Sequence, residues 1–324
     1  MLEGKQLILA TKPFAKEDRS KSWFYTVSSF ALWALAVGAA ISPIHWAFRL
    51  FFSLLAALLL VRIFAIYHDF LHKAILKNSN FSKILFTIYG YYTLNPPSIW
   101  KRSHDYHHKH NSKLYTSSIG SFPVLTKADY NALNRSQQIK YLFIRHPLTI
   151  LFGYVFAFWW GMCMLSLIRN PDKHQDSAVA LLFHHGFGFL FYYFGGWPAF
   201  WFGFMIPAFV SSAVGSYLFY AQHNFPTSTF KNKEEWNYVD AALQSSSYMK
   251  MNGMMHWFTG NIGYHHIHHT NAQIPFYNLP TVHERFEEFN VAKTTSLRPA
   301  DIASCFRVKV WDPEVNRMLA LKEI

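Results

Sequence analysis

Charged residues make up only 15% of this 324-residue chain, against roughly 25% in an ordinary soluble domain. Apolar residues supply 51% and aromatics 19%, a balance that excludes a conventional water-soluble globule and points to a membrane protein with long polar segments. Cysteine is nearly absent. Cys163 lies in an apolar run and Cys305 near the C-terminus, so neither a disulfide framework nor a thiolate cluster can be assembled. Any metal must therefore be held by nitrogen or oxygen. The net charge of +12 does not call for a nucleic-acid partner, because the basic residues sit on polar stretches flanking apolar runs, as the positive-inside bias places them. The N-terminal stretch lacks the apolar core of a cleavable signal, since LILA is too short and charges follow it. No repeat, low-complexity tract or Gly/Ser linker divides the chain, which predicts one domain over residues 1–324.

Apolar runs fall at residues 23–42, 45–66, 147–168 and 178–221. The last is long enough for two crossings of about 20 residues each, and GGWP at 195–198 marks a turn between spans 178–195 and 199–221. Lysine and arginine set the orientation. Residues 1–22 carry Lys5, Lys12, Lys16, Arg19 and Lys21, the connector SPIH at 42–45 carries none, and residues 73–145 carry eleven. Both basic regions are expected in the cytoplasm, joined by a helical hairpin. Arg145 precedes the run 147–168 while Arg169 and Lys173 follow it, so this run is expected to lie in the interface or dip in and return. The stretch FSKILFTIYGYYTL at 81–94 is too short to cross and is expected at the interface or packed beneath the membrane domain. The resulting fold class is an all-α integral membrane protein with four spans, both termini cytoplasmic, and residues 222–324 forming a cytoplasmic helical cap.

Histidine is where the chain is rich. HDFLH places His68 and His72 at i and i+4, HDYHH places His104, His107 and His108 at i, i+3 and i+4, and HHIHH repeats that offset with His265, His268 and His269. On a helix the i+3 and i+4 side chains lie about 60° to one side and about 40° to the other of the first, so each trio is expected to converge on one point. By the same count His110 and His266 point elsewhere and are left out. His223 in FYAQHNF, at the end of the last span, brings the total to nine imidazoles. Nine suit two metals with four or five nitrogens each, whereas zinc normally takes four ligands in all. Imidazole alone does not choose among zinc, copper, nickel and iron. Asp69 and Asp105 each follow the first histidine of a cluster and are candidate acceptors for ring N–H groups. His184 and His185, inside an apolar run, are read as buried or lipid-facing polar residues. Trp100, Tyr106, Trp257 and Phe258 flank the clusters and are candidates to line a substrate path.

The boxes HDFLH, HDYHH and HHIHH, with FYAQHNF and HHTNAQIPFYNLP, resemble those of the membrane fatty acid desaturases, nearest to the acyl-lipid branch that includes omega-6 (Δ12-type) enzymes. The likeness runs from about residue 60 to 285. It implies a histidine-rich di-iron site at the cytoplasmic face, two non-haem iron ions held by His68, His72, His104, His107, His108, His223, His265, His268 and His269, dioxygen as co-substrate, and a cis double bond introduced into a lipid acyl chain. An unactivated methylene has no acidic proton, so such chemistry needs a redox cofactor rather than side-chain acids and bases. Phe70 and Leu71, bulkier than the residues usual in the first box, bear on substrate shape. Because the chain has no cluster ligands of its own, a separate electron donor such as a ferredoxin or a cytochrome is implied. A di-iron hydroxylase or a ketolase acting on an alkyl or carotenoid substrate keeps the same metals and changes the outcome. A haem-binding or metal-transporting membrane protein is the reading from a different class, disfavoured because the histidines gather at helix ends.

Overall fold

Arg19–Ile41 (α1) and Trp46–Leu71 (α2) form a hairpin of two long apolar helices. The computed structural model describes residues 2–116 and 122–324. Asp18 caps α1 by accepting the Lys21 amide at 3.0 Å, and the imidazole of His45 accepts the Ala47 amide to start α2. These helices begin or end within a few residues of the apolar runs, but α2 continues five residues past the predicted boundary, which carries His68 inside the helix.

Asn80–Tyr92 (α3) packs against the later apolar helices, and Pro97–His110 (α4) opens with proline at its first position, where the missing N–H costs nothing. Tyr154–Arg169 (α5) is apolar and largely π-helical, following a short turn of helix at Pro147–Leu151.

The run Gln175–Ala221 is continuous in helical hydrogen bonding but is not one rod. Gly196 adopts φ 65°, ψ −167° with Pro198 two residues on, and the chain doubles back. Phe191 lies 5.9 Å from Phe204, ring to ring, and a Cβ on Gly203 would fall 2.6 Å from the Phe191 ring. The two limbs are Gln175–Ala199 (α6) and Ile206–Ala221 (α7). Together with α1 and α2 they give four apolar rods.

Beyond α7 the chain is mixed, and here the all-α expectation needs correcting. Tyr248–Lys250 (β1) pairs in parallel with Thr294–Ser296 (β2), and Val308–Asp312 (β3) pairs antiparallel with Arg317–Ala320 (β4). The second pair has a local cause: the β-branched Val308 and Val310 lead into a Pro313–Asn316 turn, where Asn316 takes φ 50°. The first pair joins segments more than forty residues apart, which no local pattern announces.

Two short helices complete the frame, Gly253–Phe258 (α8) and His265–Thr270 (α9). The segment around α8 does not stay in an outer layer: Phe258 packs with Ala36 and Val37 in the last third of α1 and with Ala56 and Leu59 near the middle of α2. Arg62 holds it there, donating to the Trp257 carbonyl and to Ser29 Oγ at 2.9 Å, with its guanidinium 3.9 Å from the Trp257 ring. The 222–324 region is thus wedged between the rods as well as resting on them.

The Gly196 conformation is open almost exclusively to glycine, and a non-glycine residue there costs about 1–3 kcal/mol. Gly196→Ala is expected to lower the melting temperature of the purified protein measurably, and an unchanged melting temperature would show that the reversal is not held in this geometry.

Candidate metal centre

Four separate pieces of chain deliver the nine histidines. His68 stands in the last turn of α2 and His72 caps it, α4 carries His104, His107 and His108, His223 follows the end of α7, and α9 carries His265, His268 and His269. Eight are buried and His72 is partly so.

They meet as two groups. His68, His72, His104, His108 and His268 can bring one ring nitrogen each within 4.8 Å of all the others, and His107, His223, His265 and His269 do the same. In the first group Nε2 of His104 lies 2.9 Å from that of His68 and 3.0 Å from that of His108, which lies 3.0 Å from that of His268. In the second group the Nε2 of His223 is 3.0 Å from His107 and 2.9 Å from His265, which is 3.1 Å from His269. The groups touch where His108 and His269 stack at 4.2 Å.

This division corrects the expectation that each trio serves one point. His104 and His108 go together while His107 goes to the other group, and His265 and His269 go together while His268 crosses over. The reason is angular. Side chains at i+3 and i+4 lie on opposite flanks of the first residue, about 100° apart, so one helix can feed two adjacent sites.

Burial sets the charge state. Loss of hydration pushes His104, His107, His108, His265, His268 and His269 well below the ordinary imidazole pKa, with mutual repulsion adding to it. His223 is lowered to about 4 by the same loss of hydration, partly offset by its bond to Ser245. These seven rings are neutral at physiological pH, so each keeps the lone pair that metal binding demands. Neutral imidazoles have one donor and one acceptor nitrogen. Three or four Nε2 atoms turned on one another cannot all be satisfied among themselves, whereas a cation at their centre gathers every lone pair.

The supporting contacts differ from those expected. Asp69 is buried with one oxygen 3.4 Å from His68 Nδ1 and the other accepting the Phe276 amide at 2.6 Å, tying the first box to the segment after the third. Asp105 does not approach a box histidine. Its carboxylate is exposed and pairs with Lys101 one helical turn back, at 2.6 Å, because position i+1 on α4 faces away from the rings. His223 is oriented instead by the Ser245 carbonyl, 3.0 Å from its Nδ1, a partner that sequence reasoning missed because any residue can supply a backbone oxygen.

The set-aside histidines lie elsewhere. His110 stacks on Tyr106 at 4.0 Å, and His266 packs against His283 and Phe289. His184 bonds Tyr154 and the Tyr92 carbonyl, and His185 accepts from Trp159. Of the four aromatic candidates, Trp100 packs on His104 with ring centroids 4.3 Å apart and lines a narrow apolar cavity with it. Tyr106 and Trp257 are exposed and Phe258 is core. Phe219, which no pattern singled out, borders three cavities, two of them lined by box histidines.

Comparison with known proteins agrees with the resemblance read from the boxes. The fatty acid desaturase family model matches residues 44–298. A fatty acid desaturase of Bacillus subtilis is 29% identical over 99% of this chain and 91% of its own length. A chloroplastic omega-6 fatty acid desaturase of Brassica napus is 25% identical over 86% of this chain, which spans only 62% of that longer protein. The sn-1 oleoyl-lipid 12-desaturase of Anabaena variabilis is 23% identical over 84% of this chain and 78% of its own length. The matched stretch includes all nine converging histidines and every long apolar helix but α1, and the chain belongs to the fatty acid desaturase family as an oxidoreductase of the desaturase type.

Proposed function

We propose that the protein introduces a cis double bond into a lipid-linked acyl chain, using dioxygen and two non-haem iron ions, one held by His68, His72, His104, His108 and His268 and the other by His107, His223, His265 and His269. The observation that carries this reading is the five-and-four convergence of imidazole nitrogens beside apolar cavities.

The number of donors favours iron over zinc, because five imidazoles in one group and four in the other exceed what zinc, which normally takes four ligands in all and often fewer from the protein, would use. When bound, the iron pair would supply the oxidising power that an unactivated methylene requires. Over one turnover the acyl chain gives up two hydrogens from neighbouring carbons, and dioxygen with two electrons and two protons leaves as two waters. The electrons come from a separate donor, a ferredoxin or a cytochrome.

The protein's own part is positional. Trp100, Phe219 and Phe64 give the chain an apolar wall beside His68, His104 and His265, which keeps bulk water from the reacting carbons and holds both methylenes in reach so that the second hydrogen leaves before an oxygen is transferred. Asp69 keeps His68 and the Phe276 backbone in register.

For the membrane arrangement we infer four spans, α1, α2, α6 and α7, with both termini and the histidines on the cytoplasmic side and α5 dipping into the membrane from that side and returning. Two contacts support it. The Arg145 carbonyl, before α5, accepts from Lys309 of β3 at 3.0 Å, and His174, after α5, bonds Ser98 of the histidine-bearing α4 at 2.9 Å. Both contacts favour placing the two ends of α5 on one side, in line with the basic residues Arg145, Arg169 and Lys173 that flank it.

Purified protein is expected to hold about two iron ions per chain by metal analysis, in line with the two donor groups. His108→Ala and His265→Ala should each lower that content and abolish turnover, while His110→Ala should leave it at the parental level. Equal loss from His110→Ala would dissolve the assignment of the two groups.

Expression in a host lacking polyunsaturated lipids should yield a new cis alkene in air and none without oxygen. A hydroxylated or ketonic product in its place would move the protein to the hydroxylase or ketolase reading.

A further inference from the structure

Several narrow cavities follow one another through the membrane half of the protein, each sharing wall residues with the next. A lipid-facing groove of about 390 Å³ lies between Phe143, Ile150 and Trp160, with Phe143 and Trp160 half exposed. It shares Phe122, Ala157 and Ser216 with the cavity that contains His104. That cavity shares Phe158 and Phe219 with the next, which shares Leu60, Thr93, Ser211 and Ser212 with the last. A side pocket at the junction reaches His68 and His265. From His68 the path follows α2 down to Leu60, eight residues or about 12 Å at helical rise. It is hollow because α7 presents small residues there, Ala208, Ser211, Ser212, Gly215 and Ser216, on one face. The hydroxyl of Ser216 is buried on this wall without a partner among the described residues.

The far end is closed by a polar pair. Tyr154 and His184 line the last cavity, and the Tyr154 hydroxyl meets His184 Nε2 at 2.8 Å while His184 Nδ1 meets the Tyr92 carbonyl at 2.6 Å. The carbonyl can only accept, so Nδ1 carries the proton and Nε2 accepts from the phenol. Both ring nitrogens are thus satisfied without water in an apolar region, and α3, α5 and α6 are pinned together at one depth. A methyl end arriving here gains no hydrogen bond by displacing the pair and would strand buried polar atoms if it did.

We propose that Tyr154 and His184 are the floor of the acyl channel and measure the substrate from its methyl end, so that their depth below the histidines decides which two carbons are desaturated and which chain length is preferred. The inference rests on the desaturase reading and adds specificity-determining residues to it. The chain enters laterally from the bilayer at the Phe143 and Trp160 groove, passes His104, and stops on the Tyr154 ring.

The test opens and fills the channel in turn. In a host making the parental product, Tyr154→Ala is expected to move the new double bond at least one carbon further from the methyl end and to favour longer chains. Ser212→Leu, which narrows the path above the floor, is expected to move it nearer the methyl end and to favour shorter ones. A second readout uses metal-free, detergent-solubilised protein and the thermal shift produced by saturated lysophosphatidylcholines of graded length. The length giving the largest shift should increase in Tyr154→Ala and decrease in Ser212→Leu. Folded variants that keep the parental optimum length and double-bond position would overturn the proposal. If Tyr154→Ala does not fold, Ser212→Leu alone decides it. A parental protein that forms no alkene would overturn the desaturase reading instead, and the metal-free length series would still report where the channel ends.

Discussion

Everything in this structure is arranged around ring nitrogens that face one another. Neutral imidazoles packed with their Nε2 atoms about 3 Å apart are an unfavourable assembly when left alone, because a buried polar atom without a partner costs about 1–3 kcal/mol. The assembly persists because the helices bearing it are held by interactions elsewhere. α4 and α9 are short and would not survive in water by themselves. Their positions are imposed by tertiary contacts, and the rings follow.

Those contacts form a frame of three parts. The α1–α2 hairpin supplies the first box and, through buried Arg62, grips the α8 segment that leads into the third. Asp69 extends the grip by holding the Phe276 amide just after α9. The N-terminal segment closes over the same region, with Phe14 accepting from Asn278 and Asn271 bonding Thr11. The second box is fixed from another side, where Ser98 at the start of α4 bonds Asp176 and His174 at the start of α6. A chain that places ligands on four separate elements thus gains geometry that no single helix could hold, and the apolar path beside them inherits the same rigidity.

The π-helical winding of α5 belongs to this frame. Gly153, just before it, lets the backbone approach α7 closely, since a Cβ there would collide with Ser216. A widened helix in this place brings Tyr154 toward α6 while leaving Phe158 and Met162 on the wall of the histidine cavity. Irregular winding at functional positions is a recurring use of π-helix.

Much of this was legible in the sequence. The apolar runs located α1, α2, α6 and α7, GGWP marked the reversal at Gly196, and the i, i+3, i+4 offsets picked out His104, His107, His108, His265, His268 and His269, because hydrophobic length and helical periodicity are local properties that a string of residues records directly. The partition of those rings into five and four was not legible, since it depends on where neighbouring helices stand relative to each flank of α4 and α9. Nor were the backbone carbonyl behind His223, the turning away of Asp105, the pairing of β1 with β2, or the closure of the cavity path by Tyr154 and His184. Each joins residues far apart in the chain by contacts whose partners are chosen by packing. The sequence by itself determined which side chains were available and on which helical face, whereas only the tertiary structure decided which of them meet, because convergence is set by the relative placement of helices and no local pattern encodes that.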